Sequence, residues 1–332
     1  MTDSTSQVAS QPLPASAWAV ADDQRLIRIS GPGTDKFLQG QFSQNLADVT
    51  ATFSPRAAAC TPKGRAYCLT RLVRDGDDVL MAVPDVLIDT ISTQLRKYLM
   101  LFRGTEMLVL DDARILGIMG HGLAEQLCPD RISELDQPGA SLALDTDHLI
   151  RTEDTAEGLP RYELWQLGNP AAAQARVLST EQQTSPVNWR AAEIAAGIAT
   201  LTPDTLEAYV PQMLNWQHVG GVHFKKGCYT GQEVIARMHF LGQLKKSLFR
   251  FSAEGLATAP APGTAVLADG KSVGEVISSV VLADDSVQCL AVVRHDAAEE
   301  ALRLDSVSGP SLHRLGLPYP VPEQSAANKS DT

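Results

Sequence analysis

The chain has 332 residues, more than the roughly 250–300 that one hydrophobic core supports, so two or more domains are expected. Hydrophobic residues make up 44% and no apolar run reaches the roughly 18–20 residues of a membrane-crossing helix, which leaves an ordinary globular composition. A net charge of −11 argues against a general nucleic-acid binder, which carries a basic face.

Residues 1–18 are polar, lack arginine and have neither the basic start nor the apolar middle of a signal peptide; they read as a flexible tail. "RLIRIS" (25–30) alternates as a strand and turns at "GPG", after which Thr34 is placed to cap the helix "TDKFLQGQ". "RAAACTPKGRAYCLTRLV" (56–73) reads as two strands broken at Pro62–Gly64, "RDGDD" as a hairpin turn and "VLMAV" (79–83) as the next strand. From Asp85, residues Ile88, Ile91, Leu95 and Leu99 share one helical face. Strands are expected near 106–110, 114–119 and 161–167, and helices at 121–128, 170–179 and 188–196, the last stopped by Gly197. The stretch 129–158 is polar and broken and yields no elements. Beyond about Lys245 the β-rich runs "KKSLFRFS", "GTAVLAD", "SVGEVISSVVLAD" and "SVQCLAVVRHD" predict a small antiparallel barrel or sandwich, with a boundary near 243–246. The end, "PEQSAANKSDT", reads as a second polar tail.

The densest chemistry lies in "KKGCYTGQE", Lys225 to Glu233. Thr230 and Glu233 fit a capping box, with Val234, Ile235, Met238 and Leu241 as the apolar face of the following helix and Gly242 as its stop. Gly227 is expected to supply an unusual backbone angle or a close approach. Cys228 then sits ahead of a helix N-terminus and beside two lysines, a setting that favours thiolate. It reads either as a reactive or ligand-contacting thiol or as a small residue filling a turn. The P-loop pattern is missing, as are a nucleophile elbow and a pair of carboxylates of glycosidase type. His218, His223 and His239 have no recognised metal-ligand spacing and read as ordinary histidines, and "NWQHVGGVHF" has a strand-like end. The cysteines, Cys60, Cys68, Cys128, Cys228 and Cys289, are odd in number and form no C-x-x-C; they read as reduced thiols in a cytoplasm, not a zinc ribbon.

"FKKGCYTGQEVIAR" (224–237) is similar to the K-G-C-Y-x-G-Q-E signature of the YgfZ family of folate-binding proteins, within the superfamily of the glycine-cleavage T-protein. "RISGPGTDKFLQGQFSQNL", "TPKGRAYC", "WRAAEIAAGI" and "YVPQMLNWQHVGGVHFKKG" support it in the family's order, and the resemblance covers about 20–320. It implies an α+β, three-lobed, T-protein-like cloverleaf around a central folate site. Two interleaved lobes would span 19–243 (19–48 with 112–200, and 49–111 with 201–243), followed by a C-terminal antiparallel β-barrel at 244–321 and a tail at 322–332. It implies tetrahydrofolate as cofactor, held by Trp189, Lys226, Gly227, Tyr229, Gln232 and Glu233. Cys228 would be the working thiol and a transient iron–sulfur ligand. The implied role is support of iron–sulfur enzymes, and through them tRNA methylthiolation, with carrier or client proteins as partners and neither nucleic acid nor membrane bound directly. A folate-dependent one-carbon transferase is the alternative. Against it, the acidic pair that T-proteins carry after a Lys-Gly-Gly run is replaced by Cys68 and Leu69. The family's Glu-Ala-Gly is Ala195-Ala196-Gly197, with Glu193 about 200° round the helix from the expected position. A tryptophan of some bacterial members corresponds to Gln24.

Overall fold

The computed structural model describes residues 13–168, 178–242 and 244–321. In chain order it runs β1 (Ala17–Val20), β2 (Gln24–Ser30), α1 (Thr34–Gln41), β3 (Arg56–Cys60), β4 (Ala66–Asp75), β5 (Asp78–Pro84), α2 (Ile88–Leu99), β6 (Glu106–Leu110), β7 (Arg114–Met119) and α3 (His121–Leu127). It continues through β8 (Ser141–Leu144), β9 (Asp147–Thr152), β10 (Arg161–Gln166), α4 (Pro186–Ala195) and α5 (Gln232–Phe240). The C-terminal part holds β11 (Lys246–Ala253), β12 (Ala265–Ala268), β13 (Lys271–Val281), β14 (Val287–Arg294), β15 (Leu302–Leu304) and β16 (Ser311–Leu315). The helix expected at 170–179 falls largely outside the described residues.

Three antiparallel sheets result. One has the order β1-β7-β10-β9-β8, the second β3-β4-β5-β2-β6, and the third closes as a barrel, β11-β14-β13-β12-β15-β16. The α+β architecture with a C-terminal barrel is therefore as the sequence implied. The division of 19–48 is not. Only β1 joins β7; a turn at 21–24, with Ala21 N–H donating to Ile115 O at 2.9 Å, passes the chain to the second sheet, where β2 lies between β5 and β6. The N-terminal tail also ends earlier than residue 18. Trp18 is fully buried, and its indole N–H donates to Ser179 O.

Apolar alternation explains how the sheets pack. Barrel strand β14 is buried on both faces. Val287, Cys289, Ala291 and Val293 fill the barrel, while Leu290 and Val292 join the main core. Sheet β1-β7-β10-β9-β8 covers α3 with one face and packs Ile115, Trp165 and Ile150 against α4 with the other. The broken stretch 129–158 contains the β8–β9 hairpin, with Asp145 in the left-handed region. Its short strands and polar flanks hide the alternation. Helix α4 is capped by the Ser185 hydroxyl and ends in a Schellman turn at Gly197 (φ 70°): Gly197 N–H bonds Ile194 O and Ile198 N–H bonds Glu193 O. Thr34 is not a cap. Gly33 holds that position, and Thr34 is the first helical residue, its hydroxyl donating to Gly31 O. The strand-like end of "NWQHVGGVHF" forms no strand: residues 215–220 are turns and 221–223 have no regular structure.

Candidate functional site

A cavity of about 240 Å³ opens where the two sheets, α4 and the barrel meet. Gln24, Leu69, Thr70, Ala82 and Pro84 come from one sheet, Ala21 and Ile115 from the other side, and Ile277 to Val280 from the barrel. The β13–β14 register shifts between Val276 and Ser278, and this bulge turns consecutive residues toward the cavity. Helix α4 contributes Trp189, Arg190, Glu193 and Ile194. Ala195, expected at the ligand-facing position, is fully buried and does not line the cavity. Glu193, about 200° round the helix, does.

The polar wall is ionic. Arg56 and Arg71 are register partners on β3 and β4; Arg161 and Glu163 are two residues apart on β10 and share a face. Arg56 donates to Glu153 through Nε at 3.0 Å and Nη2 at 2.7 Å. Arg71 donates to Ser54 O and to the Thr152 hydroxyl, with Nε 3.3 Å from Glu163. Arg161 pairs with Glu193 and lies 4.3 Å from the Trp189 ring centroid; Arg56 lies 5.6 Å from that of Trp216. Burial works against charge here. It lowers the Arg161 guanidinium to about 9. It would raise the Glu153 carboxyl too, but Arg56 and Arg71 outweigh it and hold Glu153 well below the ordinary range. Burial raises the Asp23 carboxyl, also on the cavity wall. The Nε atoms of Arg71 and Arg161 are buried without a hydrogen-bond partner. Trp189 lies flat on β7, where a Cβ at Gly117 would come 2.0 Å from the indole.

The signature loop is a second locus. Lys226 is buried, and its ammonium donates to Gln39 O, Phe42 O and Gln44 O at 2.7, 2.5 and 2.7 Å. Burial pushes it down to about 8. Tyr229 is buried beneath it, with Nζ 4.9 Å from the ring centroid. Thr230 does not cap the helix. Gly231 does, at φ 84°, and the Thr230 N–H and hydroxyl both reach Gly40 O. The left-handed turn is forced by the loop 61–65, since a Cβ at Gly231 would lie 2.6 Å from Thr61 O. At Gly227 an added Cβ meets nothing within 4 Å, and its φ is not left-handed. The special backbone expected at Gly227 thus belongs to Gly231. Only Ile235 of α5 is buried, and Leu241 lies past its end, 85% exposed, rather than on an apolar face. Cys228 is exposed, whereas Cys60, Cys68, Cys128 and Cys289 are buried.

Of the residues expected at the ligand, Trp189 alone lines the cavity. Lys226, Gly227, Tyr229, Gln232 and Glu233 do not, and neither does Cys228. The Lys226 ammonium is committed to three carbonyls. His218 stacks on Tyr319, His239 on Phe224, and His223 lies 3.6 Å from Asp48. Among the described residues no group of three or more His, Cys, Asp or Glu is placed to hold a metal. Among the described residues no helix is long and apolar enough to cross a membrane. The ionic wall went unnoticed in the sequence. Its trace there is charge at inward positions of apolar strands, as in "RYELWQ".

Residues 245–312 match the family model for the CAF17 C-terminal β-barrel domain. The chain is 30% identical over 321 residues to tRNA-modifying protein YgfZ of Edwardsiella ictaluri, covering 91% of this chain and 92% of that one. It is 28% identical over 317 residues to tRNA-modifying protein YgfZ of Shigella boydii serotype 4, covering 91% and 93%. Among solved structures, glycine cleavage system aminomethyltransferase T from Bartonella henselae superposes with a TM-score of 0.70 at 14% identity, over 92% of this chain and 86% of that one.

Proposed function

Since this chain belongs to the YgfZ family, we propose that it supports tRNA modification as a cytoplasmic accessory protein. In this reading it holds tetrahydrofolate in the junction cavity and serves iron–sulfur enzymes through Cys228. The observation that carries it is the separation of the two loci: an open cavity with an ionic wall, and an exposed thiol that does not line it.

The cavity suits a folate head. Leu69, Ile194 and Trp189 supply apolar walls, and a pterin edge carries adjacent donors and acceptors that Glu193, Glu163 and Arg71 on the lining complement. Trp189 is held between Gly117 on one face and Arg161 on the other, so it gives the cavity a fixed ring edge rather than an open face. Bound folate would supply a one-carbon unit or a recognition handle. The chain's own residues bind it, orient it and keep water out.

The transferase reading is less well supported. Cys68 is fully buried, and Leu69 gives the cavity an apolar wall where T-proteins carry acid. Tetrahydrofolate in this cavity would meet neither that carboxylate nor the exposed thiol. An iron–sulfur cluster takes about four thiolate ligands and Cys228 supplies one, so a cluster held here is cargo shared with a partner protein. In cells lacking the native copy, Cys228→Ala is expected to leave tetrahydrofolate binding intact and to lower the methylthiolated tRNA fraction several-fold. Full restoration of that modification by Cys228→Ala would remove the thiol from the proposal.

A further inference from the structure

The surface around the signature loop departs from the rest of the chain. Between His223 and Lys246 there are five Lys or Arg and one acidic residue, in a chain of net charge −11. Lys226 is turned inward, but Lys225, Arg237 and Lys245 are exposed. In the same stretch α5 ends at Phe240 and Leu241 follows it; they are 66% and 85% exposed. These are not stray side chains. The Phe224 ring stacks on His239 at 3.6 Å between centroids, and Phe240 sets its edge against both. The result is an ordered aromatic and aliphatic tip in the same stretch of chain as the exposed cations Lys225, Arg237 and Lys245 and the exposed Cys228. Gly227, beside the thiol, has no neighbour that its missing side chain would disturb, so a second molecule can come close to the backbone there.

We propose that this face docks a protein partner whose surface is acidic around an exposed apolar side chain. Leu241 and Phe240 form the desolvated centre and Lys225, Arg237 and Lys245 the complementary rim. The charge of the rim selects a partner of negative sign. The centre favours protein over RNA: Leu241 offers neither a stacking face nor a donor, and Phe224 and His239 each give one face to the other, which leaves Phe240 as the main ring a base could stack on. The location follows from these residues alone; that docking presents the partner to Cys228 rests on the function proposed above.

The test uses the full chain, the double variant Phe240→Ser with Leu241→Asp, the charge variant Lys225→Glu with Arg237→Glu, and Cys228→Ala. Each is titrated with a synthetic acidic peptide bearing two leucines, with its leucine-to-serine counterpart, and with an oligoadenylate RNA. The leucine peptide is expected to bind the wild type and Cys228→Ala equally. It should bind roughly tenfold more weakly to both surface variants and lose affinity as salt rises. All four proteins should keep the same unfolding temperature and the same tetrahydrofolate affinity. In cells, the double variant should lower tRNA modification as Cys228→Ala does. The proposal is overturned by failure of the leucine peptide to bind the wild type, or by equal binding to wild type and surface variants. It is also overturned if the RNA binds and the charge variant abolishes it, or if sedimentation shows a wild-type dimer that Leu241→Asp dissociates. Equal tRNA modification by Cys228→Ala and wild type, with peptide binding lost in the surface variants, would instead leave the docking face standing and remove the thiol role.

Discussion

Lys226 shows how a signature residue can be structural and still sit within chemistry. Its three N–H groups meet three carbonyls of the segment 39–44, and no other described side chain donates to those oxygens. Lys226→Met would keep the aliphatic stem and orphan three buried acceptors. At about 1–3 kcal/mol for each unsatisfied group, a loss of about 3 kcal/mol or more is expected in urea unfolding. The two glycines of the loop divide in the same way. Gly231→Ala places a Cβ against Thr61 O in a left-handed turn and should cost about 2–4 kcal/mol. Gly227→Ala has open space and ordinary φ and should change stability by no more than about 0.5 kcal/mol. Equal losses for the two would contradict the assignment. Sequence spacing pointed to the loop but assigned its glycines the wrong way round. The contact that decides it comes from Thr61, about 170 residues away in the chain, and no local pattern reports it.

At the level of elements, strands and the barrel were legible because alternation and Gly, Pro and Asp punctuation are local. Caps were less so. Thr230-x-x-Glu233 has the right letters for a capping box, yet the approach of loop 61–65 imposes a left-handed Gly231 and moves the helix start to Gln232. The same limit hid the ionic wall, whose members come from β3, β4, β10, α4 and the turn after β9 and meet only in the folded chain. Its acid behaviour follows from sign. Glu153 in the folded protein titrates below its ordinary value of 4.5, so the unfolded chain binds more protons as pH falls. The stability it contributes is complete above 4.5 and is lost below it. Glu153→Gln leaves Arg56 and Arg71 with Glu163 as their one remaining nearby carboxylate among the described residues. It should cost about 3–5 kcal/mol at neutral pH and flatten the acid limb of the stability curve. An unchanged acid limb in urea midpoints measured between pH 3 and 7 would show that the pairs with Arg56 and Arg71 are not what depresses Glu153.

Over the whole molecule, three sheets enclose a cavity whose lining is drawn from residues 21 to 280. Segments so far apart explain why composition and spacing gave the parts but not the site. The resemblance pointed to Trp189, which lines the cavity, and to five signature residues, which do not. The signature instead ties α1, the loop 61–65 and α5 together and leaves Cys228 outside. Glu193, two residues before Ala195, is on the face that α4 turns to the cavity and is held there by Arg161.

Calorimetric titration of tetrahydrofolate under anaerobic conditions, into wild type and Glu193→Gln, tests the proposed cavity role most directly. Saturable one-to-one binding by the wild type is expected, weakened roughly tenfold or more in Glu193→Gln, a loss of about 1.4 kcal/mol. Absence of binding at about 1 mM ligand, or equal affinity in the two proteins, would contradict it.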